Sequence, residues 1–332
     1  MITSNTTLGV NISYDSQLLL LPETMADIFS DILVIITMVP STLFAFLMTF
    51  TFLCEIKLKE NSKYIFFINL VISDSMFLFI VDVSSILFIC GTRFNVGGCS
   101  FYINFYRGLF NNGVTCISLM AIERFVAICH PLRYHNIFNQ KSALRCLGMI
   151  WFISFFFPVV EIIFMVTTDN LAFQRVAGAC EDVNYIFVKD YVLLEYIRNC
   201  VFVLFFSVSF VILVSTYILV VKAAKQAASR ESEASKAKHT LRLHAVQLIL
   251  YMSAFLIQPF KTLIDLTVND SDMNYMLKTF LYYFMFVSPR FFSPFIYGLR
   301  DKEIRRYLRR RVCCGQNVLK VNPEHTIFHK HA

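Results

Sequence analysis

Long runs of apolar residues alternate with short polar segments along the chain. Each run reaches the roughly 20 residues that a helix needs to cross the hydrocarbon core of a bilayer. Lipid offers the backbone no hydrogen-bond partners, so such runs adopt helices, which satisfy their own backbone groups. The pattern therefore predicts an all-α fold, a bundle of seven transmembrane helices. The seven runs lie at about 32–54, 64–90, 99–129, 146–168, 191–221, 243–268 and 275–299.

Composition excludes a soluble globular protein. Of the 332 residues, 57% are hydrophobic and 16% are charged, whereas soluble domains contain about 25% charged residues. The formal net charge of +7 could indicate a nucleic-acid partner. The Lys and Arg residues are concentrated, however, in alternate loops and in the C-terminal tail. We therefore predict contact with membrane lipids and with a cytoplasmic protein, and no nucleic acid.

The same basic residues predict the topology of the chain. The segment before the first run contains neither Lys nor Arg, whereas 222–242 is rich in both. Because bases accumulate on cytoplasmic loops, we expect the N-terminus outside and the C-terminus inside. Asn5 and Asn11 begin glycosylation sequons in this outer segment. The same segment lacks the basic start and short apolar core of a secretory signal peptide, so the first membrane helix is expected to direct insertion.

Four of the ten cysteines have a predicted chemical role. Cys99 opens the third helix on the outer side, and Cys180 lies in the long outer loop, where an oxidising environment permits a disulfide. Cys90 is an alternative partner for either residue. Cys313 and Cys314 follow a basic segment at the inner face, where cysteines are candidates for palmitoylation. Unmodified thiols are the alternative at both places.

A long motif lies at the inner end of the third helix. The segment MAIERFVAICHPLRY at 120–134 resembles the MAYDRYVAICxPLRY signature of odorant receptors, which are rhodopsin-type G-protein-coupled receptors. Glu replaces Asp and Phe replaces Tyr. The resemblance covers nearly the whole chain. Further matches to the family pattern are Asn69-Leu70 with Asp74, Trp151, Tyr217, the SPFIY segment at 293–297 in place of NPxxY, the eighth-helix start at 298–304, and Cys99 at 25 residues before Arg124.

Departures from that pattern resemble the divergent fish-type odorant receptors. The first helix carries Pro40 and lacks the family's Asn, and the sixth helix lacks the CWxP motif. The outer loop has one Cys where many mammalian odorant receptors have three. The expected organisation is an extracellular segment over 1–30, the seven-helix domain over 31–299, an amphipathic eighth helix over 300–312 and a cytoplasmic tail over 313–332.

The resemblance implies an odorant-activated receptor of the plasma membrane. It implies a small-molecule odorant, a heterotrimeric G-protein of the stimulatory, cAMP-raising type, and no cofactor. A rhodopsin-type receptor for a peptide or other small messenger is the alternative. An enzyme is not expected, because the HExxH, GxSxG and phosphate-loop motifs are absent. The residues to which the resemblance assigns activation and coupling are Glu123, Arg124, Tyr217, Pro294 and Tyr297.

Arg107 is the leading candidate for an odorant contact. It lies 17 residues before Arg124, which places it about 25 Å from the inner end of the third helix. We expect it to bind an anionic or polar odorant, with an internal ion pair to Glu161 as the alternative. Lys261 and Asp265 are spaced to pair with each other. The other candidates, in the outer halves of helices three to seven, are Phe110, Asn111, Glu161, Arg198, Phe202, Met252, Phe255, Gln258, Tyr283 and Phe286.

A carboxylate, Asp74, lies in the middle of the apolar second helix, where many members of the resembled family bind sodium. Arg290 lies four residues before Pro294 on the seventh helix. A lone buried charge costs several kcal/mol, so a partner is expected. We hypothesise that Asp74 and Arg290 pair and replace the ion, so that no metal is bound. Strong pairing requires the two groups to lie within about 6 Å.

Overall fold

Helices make up nearly all of the chain that the structure describes. The computed structural model describes residues 25–89, 92, 94–168, 191–226, 246, 249–292 and 301–313. The helices are α1 (Met25–Cys54), α2 (Ile56–Glu60), α3 (Ser62–Ile89), α4 (Val96–Cys129), α5 (Pro131–Ile137), α6 (Gln140–Thr168), α7 (Tyr191–Gln226), α8 (Ile257–Thr267), α9 (Ser271–Tyr282) and α10 (Lys302–Cys313).

The described residues of all seven predicted runs lie in helical segments almost throughout, so the predicted all-α helix bundle is confirmed. Four of the helices in the described part are long and apolar enough to cross a membrane; they are α3, α4, α6 and α7. The helix α1 contains a shorter apolar stretch, Val39–Cys54. The sixth segment is interrupted by a 3₁₀ turn at Ala254–Leu256, and the seventh contains a π-helical turn at Tyr283–Val287.

The central helix of the bundle is α4, which packs against α3, α6 and α7. It buries polar side chains such as Asn104, Asn112 and Glu123. The outer faces of the peripheral helices are apolar and exposed, as in Phe46 of α1 (71% exposed) and Leu204 of α7 (66%). Apolar surfaces of this extent are typical of helices that cross a membrane and not of a water-soluble protein.

Side-chain caps determine where three of the helices begin. Asn95 accepts a hydrogen bond from the backbone N–H of Gly98 at 2.7 Å and starts α4. Asp270 accepts one from the N–H of Asp272 at 2.9 Å and starts α9. Asp301 does the same for α10, with the N–H of Glu303 at 3.0 Å. Each cap satisfies a backbone donor that has no partner within its own helix.

The helix α10 is the amphipathic helix predicted at 300–312. Its apolar residues Ile304 and Leu308 are buried, whereas Arg306 and Arg309 are exposed. It packs against α1. The bundle also departs from one expectation, because Asp265 forms its ion pair with Lys278 of α9 rather than with the residue one turn earlier on its own helix.

Candidate functional site

Three polar clusters lie along α4, and the first contains Arg107 of α4, Glu161 of α6 and Arg198 of α7. Arg107 Nη1 lies 3.2 Å from Oε1 and 3.4 Å from Oε2 of Glu161, and Arg198 Nη1 lies 3.3 Å from Oε1. The Glu161 side chain is 8% exposed and the Arg107 side chain 26%. The ion pair between Arg107 and Glu161, which was the alternative to an odorant contact, is therefore present. Arg198 contacts the same Glu161 carboxylate.

An aromatic row crosses the bundle next to this cluster. The rings of Phe202 on α7 and Phe110 on α4 have centroids 6.2 Å apart. Phe110 stacks on Phe286 at 4.8 Å with an interplanar angle of 7°, and Phe286 stacks on Tyr282 at 5.3 Å. Offset stacking of this kind adds favourable energy beyond the burial of the rings. The structure thus brings three predicted ligand residues from three helices into one continuous row.

The remaining predicted ligand residues are placed as follows. Asn111 Nδ2 donates to the backbone oxygen of Ser154 at 3.5 Å and so joins α4 to α6. Met252 is partly buried and packs against the core. Tyr283 is 8% exposed and opens the π-helical turn. The side chains of Phe255 and Gln258 lie outside the described part of the structure.

The second cluster lies in the middle of the bundle around Asp74. Arg290 Nε lies 3.9 Å from Asp74 Oδ1, and both side chains are 1% exposed. The Tyr251 hydroxyl donates to Asp74 Oδ2. Gly113 of α4 faces the same carboxylate, and a Cβ atom there would lie only 3.3 Å from Oδ1. The absence of a side chain at Gly113 therefore allows α3 and α4 to approach closely at this point.

The third cluster lies at the inner end of α4. Glu123 is 1% exposed, and its Oε2 lies 3.2 Å from Arg124 Nε. The Tyr134 hydroxyl donates to Glu123 Oε1 at 2.6 Å and lies 3.1 Å from the Ser62 hydroxyl. Burial and the hydrogen bond to Glu123 raise the pKa of Tyr134 to about 12, so the phenol stays protonated at neutral pH. Glu123 therefore has an ion-pair partner on its own helix, Arg124, and a hydrogen-bond donor on α5, Tyr134.

The other residues assigned to activation are not brought to this cluster by the described structure. Tyr217 lies on α7, is 39% exposed and makes no hydrogen bond to another described residue. Pro294 and Tyr297 lie outside the described residues. Their predicted roles beside Arg124 stay predictions.

Cys99 is fully buried at the start of α4 and is disulfide-bonded. Its predicted partner, Cys180, lies outside the described residues, so that pairing stays a prediction. The remaining predicted modification sites, which also fall on undescribed residues or side chains, are Asn5, Asn11, Cys313 and Cys314.

Sequence reasoning did not anticipate three of the polar side chains that form contacts between helices. Tyr251 and Tyr134 each donate to a carboxylate on another helix. Asp82 of α3 is completely buried, and the Thr37 hydroxyl lies 3.5 Å from its Oδ1. Asp82 alone left a signal in the sequence, because a second carboxylate two turns beyond Asp74 in an apolar helix requires an internal partner.

Comparisons with known proteins agree with the seven-helix fold. Residues 45–297 match the family model of the 7 transmembrane receptor (rhodopsin family). The chain is 33% identical over 204 residues to odorant receptor 131-2 of zebrafish (Danio rerio), a match that covers 60% of this chain and 61% of that receptor. It therefore spans less than two thirds of that relative.

Two human proteins are also similar. The chain is 26% identical over 262 residues to olfactory receptor 14L1, and the match covers 77% of each protein. It is 25% identical over 230 residues to olfactory receptor 13C2, and the match covers 65% of this chain and 68% of that receptor. Because the family model extends from the first predicted helix into the seventh, the chain belongs to the rhodopsin family of seven-transmembrane receptors, which are not enzymes.

Proposed function

We propose that the protein is an odorant-activated receptor of the plasma membrane that engages a heterotrimeric G-protein at its inner face. One observation carries the proposal: α4 bears the first cluster, with Arg107, in its outer half and the third cluster, with Arg124, at its inner end. Charged residues within membrane helices are costly and are retained for function. The similarity to receptors named as odorant or olfactory favours an odorant over a peptide or other messenger.

The proposed ligand site lies among the outer halves of the third to seventh helices. Arg107 has one face on Glu161, yet about a quarter of its side chain is exposed. The neighbouring row of Phe110, Phe202 and Phe286 offers apolar contact. Small-molecule sites combine such an apolar lining with a few polar groups that orient the ligand. The matching ligand is a small molecule with an apolar body and an anionic or strongly polar group.

The proposed coupling site is the inner end of α4. Arg124 is 19% exposed at its side chain, and its Nε faces Glu123. When helices separate on the inner side, Arg124 leaves Glu123 and contacts the G-protein, for which we propose the stimulatory type. Basic residues of α10 support the assignment of this end to the cytoplasmic side, because Lys and Arg accumulate there. They are Arg305, Arg306 and Arg309.

The proposal is tested by measuring cAMP in cells that express the receptor with an olfactory G-protein. The panel contains amino acids, amines, carboxylic acids, steroids and peptides, and surface staining normalises each response. We expect a response to one small-molecule class that disappears in Arg124→Ala and persists in Arg145→Ala, which removes an exposed arginine of α6. A response confined to peptides, or one unchanged by Arg124→Ala, would contradict the proposal.

Arg107 is tested in the same assay. Arg107→Gln is expected to abolish responses to anionic odorants, whereas Arg107→Lys keeps the charge and part of the response. Equal responses of Arg107→Gln and the unmodified receptor would show that the ligand does not contact this residue.

A further inference from the structure

The most deeply buried cation in the described structure is Arg290, whose side chain is 1% exposed. Four aromatic rings surround its guanidinium carbon, and we call them the aromatic cage. The distances to the ring centroids are 4.2 Å for Phe77, 4.5 Å for Phe110, 4.8 Å for Phe286 and 5.3 Å for Tyr251. The negative faces of aromatic rings attract a cation at such distances, most strongly where water is excluded.

Asp74 supplies the charge that balances Arg290. Its Oδ1 lies 3.9 Å from Arg290 Nε, within the range of strong pairing. The guanidinium Nη1 donates to the backbone oxygen of Phe286. Within the described residues, Nε and Nη2 of Arg290 make no hydrogen bond. The cation is therefore stabilised by the charge of Asp74 and by the ring faces more than by hydrogen bonds.

These surroundings do not fit a metal ion beside Asp74. Hard cations require several oxygen ligands at once, whereas Asp74 has the Arg290 guanidinium 3.9 Å from Oδ1 and the Tyr251 phenol at Oδ2, and two phenylalanine rings lie over that guanidinium. Among the described residues, no group of three His, Cys, Asp or Glu side chains could hold a metal ion. A second cation next to Arg290 would also be repelled strongly in this dry environment.

We infer that Arg290 permanently occupies the position beside Asp74 that an exchangeable sodium ion would take, so that the resting receptor is insensitive to sodium. Arg290 is part of the seventh helix, so unlike a bound ion it does not dissociate when the sodium concentration falls. Tyr251 extends the arrangement to the sixth helix, because its hydroxyl donates to Asp74 and its ring faces Arg290. The inference concerns the resting fold and does not depend on which ligand activates the receptor.

The test compares the melting temperature of the purified full-length receptor in sodium chloride and in choline chloride at equal ionic strength. The unmodified receptor is expected to melt at the same temperature in both salts. A sodium-specific rise that disappears in Asp74→Asn would overturn the inference. The comparison of the two salts needs only the unmodified protein, and Asp74→Asn serves to assign any rise to this carboxylate.

A second arm opens the site. Arg290→Ser removes the guanidinium and leaves room for an ion, so its melting temperature is expected to be lower in choline and to rise by several degrees as sodium replaces choline. The double variant Arg290→Ser with Asp74→Asn should lose that rise, because the carboxylate is gone. A folded Arg290→Ser receptor with no sodium dependence would show that Arg290 does not stand in a cation's place. Neither arm requires an odorant response, so failure here is distinguishable from failure of the proposed function.

Discussion

The hydroxyl of Tyr134 lies 2.6 Å from a carboxylate oxygen of Glu123, and this hydrogen bond joins α5 to the inner end of α4. The other carboxylate oxygen of Glu123 faces Arg124 at 3.2 Å. A carboxylate held by a hydrogen bond as well as an ion pair is fixed in orientation more firmly than one with the ion pair alone. Tyr134 thereby stabilises the arrangement in which Arg124 is directed at Glu123.

Replacing Tyr134 by Phe should raise signalling in the absence of ligand. A hydrogen bond to a charged group contributes about 1.5–3 kcal/mol, and each 1.4 kcal/mol is about a tenfold change in an equilibrium. Basal cAMP per surface receptor should therefore rise severalfold. Tyr196→Phe is the matched control, because Tyr196 is 67% exposed on α7. Equal basal activity in both variants would mean that Tyr134 does not stabilise the resting state.

Removing Glu161 should destabilise the receptor more than removing either arginine that contacts it. Glu161→Gln leaves Arg107 and Arg198 facing each other without the carboxylate they share. Arg198→Gln leaves a one-to-one pair with Arg107. Breaking a buried ion pair costs about 3–5 kcal/mol, and the partial exposure of both arginines reduces this figure. The measurement is the melting temperature of each variant, and a larger loss in Arg198→Gln than in Glu161→Gln would contradict the sharing.

Gly108→Ala should lower the melting temperature. A Cβ atom at Gly108 would lie 2.5 Å from Cε1 of the Phe155 ring. That ring is confined between Phe105 and Trp151, at 5.6 Å and 5.5 Å between centroids, so it has little room to move. Overpacking of this kind costs about 1–3 kcal/mol.

Gly148→Ala is the control for this substitution. Among the described residues, no side chain from elsewhere in the fold lies within 4 Å of a Cβ built at Gly148, and Ala favours a helix over Gly by about 1 kcal/mol. The control should therefore be neutral or stabilising. Similar melting temperatures for the two variants would show that the contact between α4 and α6 is looser than the structure indicates.

Asp301→Asn and Asp301→Ala should separate two roles of this side chain. Asp301 caps α10 and also pairs with Lys63. Asn still caps a helix, so Asp301→Asn loses only the pair, whereas Asp301→Ala also loses the cap, which contributes about 1 kcal/mol. The melting temperature should fall in Asp301→Asn and fall further in Asp301→Ala. Equal losses would indicate that the cap makes no contribution.

The Asp301 pair should not depend on pH near neutrality. Burial raises the pKa of Asp301, but the charge and hydrogen bond of Lys63, with the hydrogen bonds from the Ile304 N–H and the Tyr64 hydroxyl, together lower it by more, so the pKa lies below its usual value. A depressed folded-state pKa contributes stability that is present above the unfolded pKa of about 3.9 and is lost as the pH falls through the folded value. The difference in melting temperature between the unmodified receptor and Asp301→Asn should thus stay constant from neutral pH down to about pH 5 and shrink only at lower pH. A difference that changes near pH 7 would contradict this assignment.

Local sequence was sufficient for the helices and for the polar positions within them. Seven apolar runs predicted the bundle, because the length of a membrane helix and its need for internal hydrogen bonds are properties of a single segment. The cost of a buried charge was sufficient to expect a partner for Asp74. Each of these arguments requires only the residues of one helix and the solvent around it.

The choice of partner between helices was decided by the tertiary structure. Asp265 is spaced to pair with Lys261 on its own helix but pairs with Lys278 on the next. Arg198 joins Glu161, and Tyr134 joins Glu123, although neither contact follows from spacing along one helix. Such contacts depend on the rotation and depth of each helix against its neighbours, which are set by packing across the whole bundle. The sequence by itself therefore determined which segments span the membrane and which polar groups require partners, and only the packed bundle determined which groups meet.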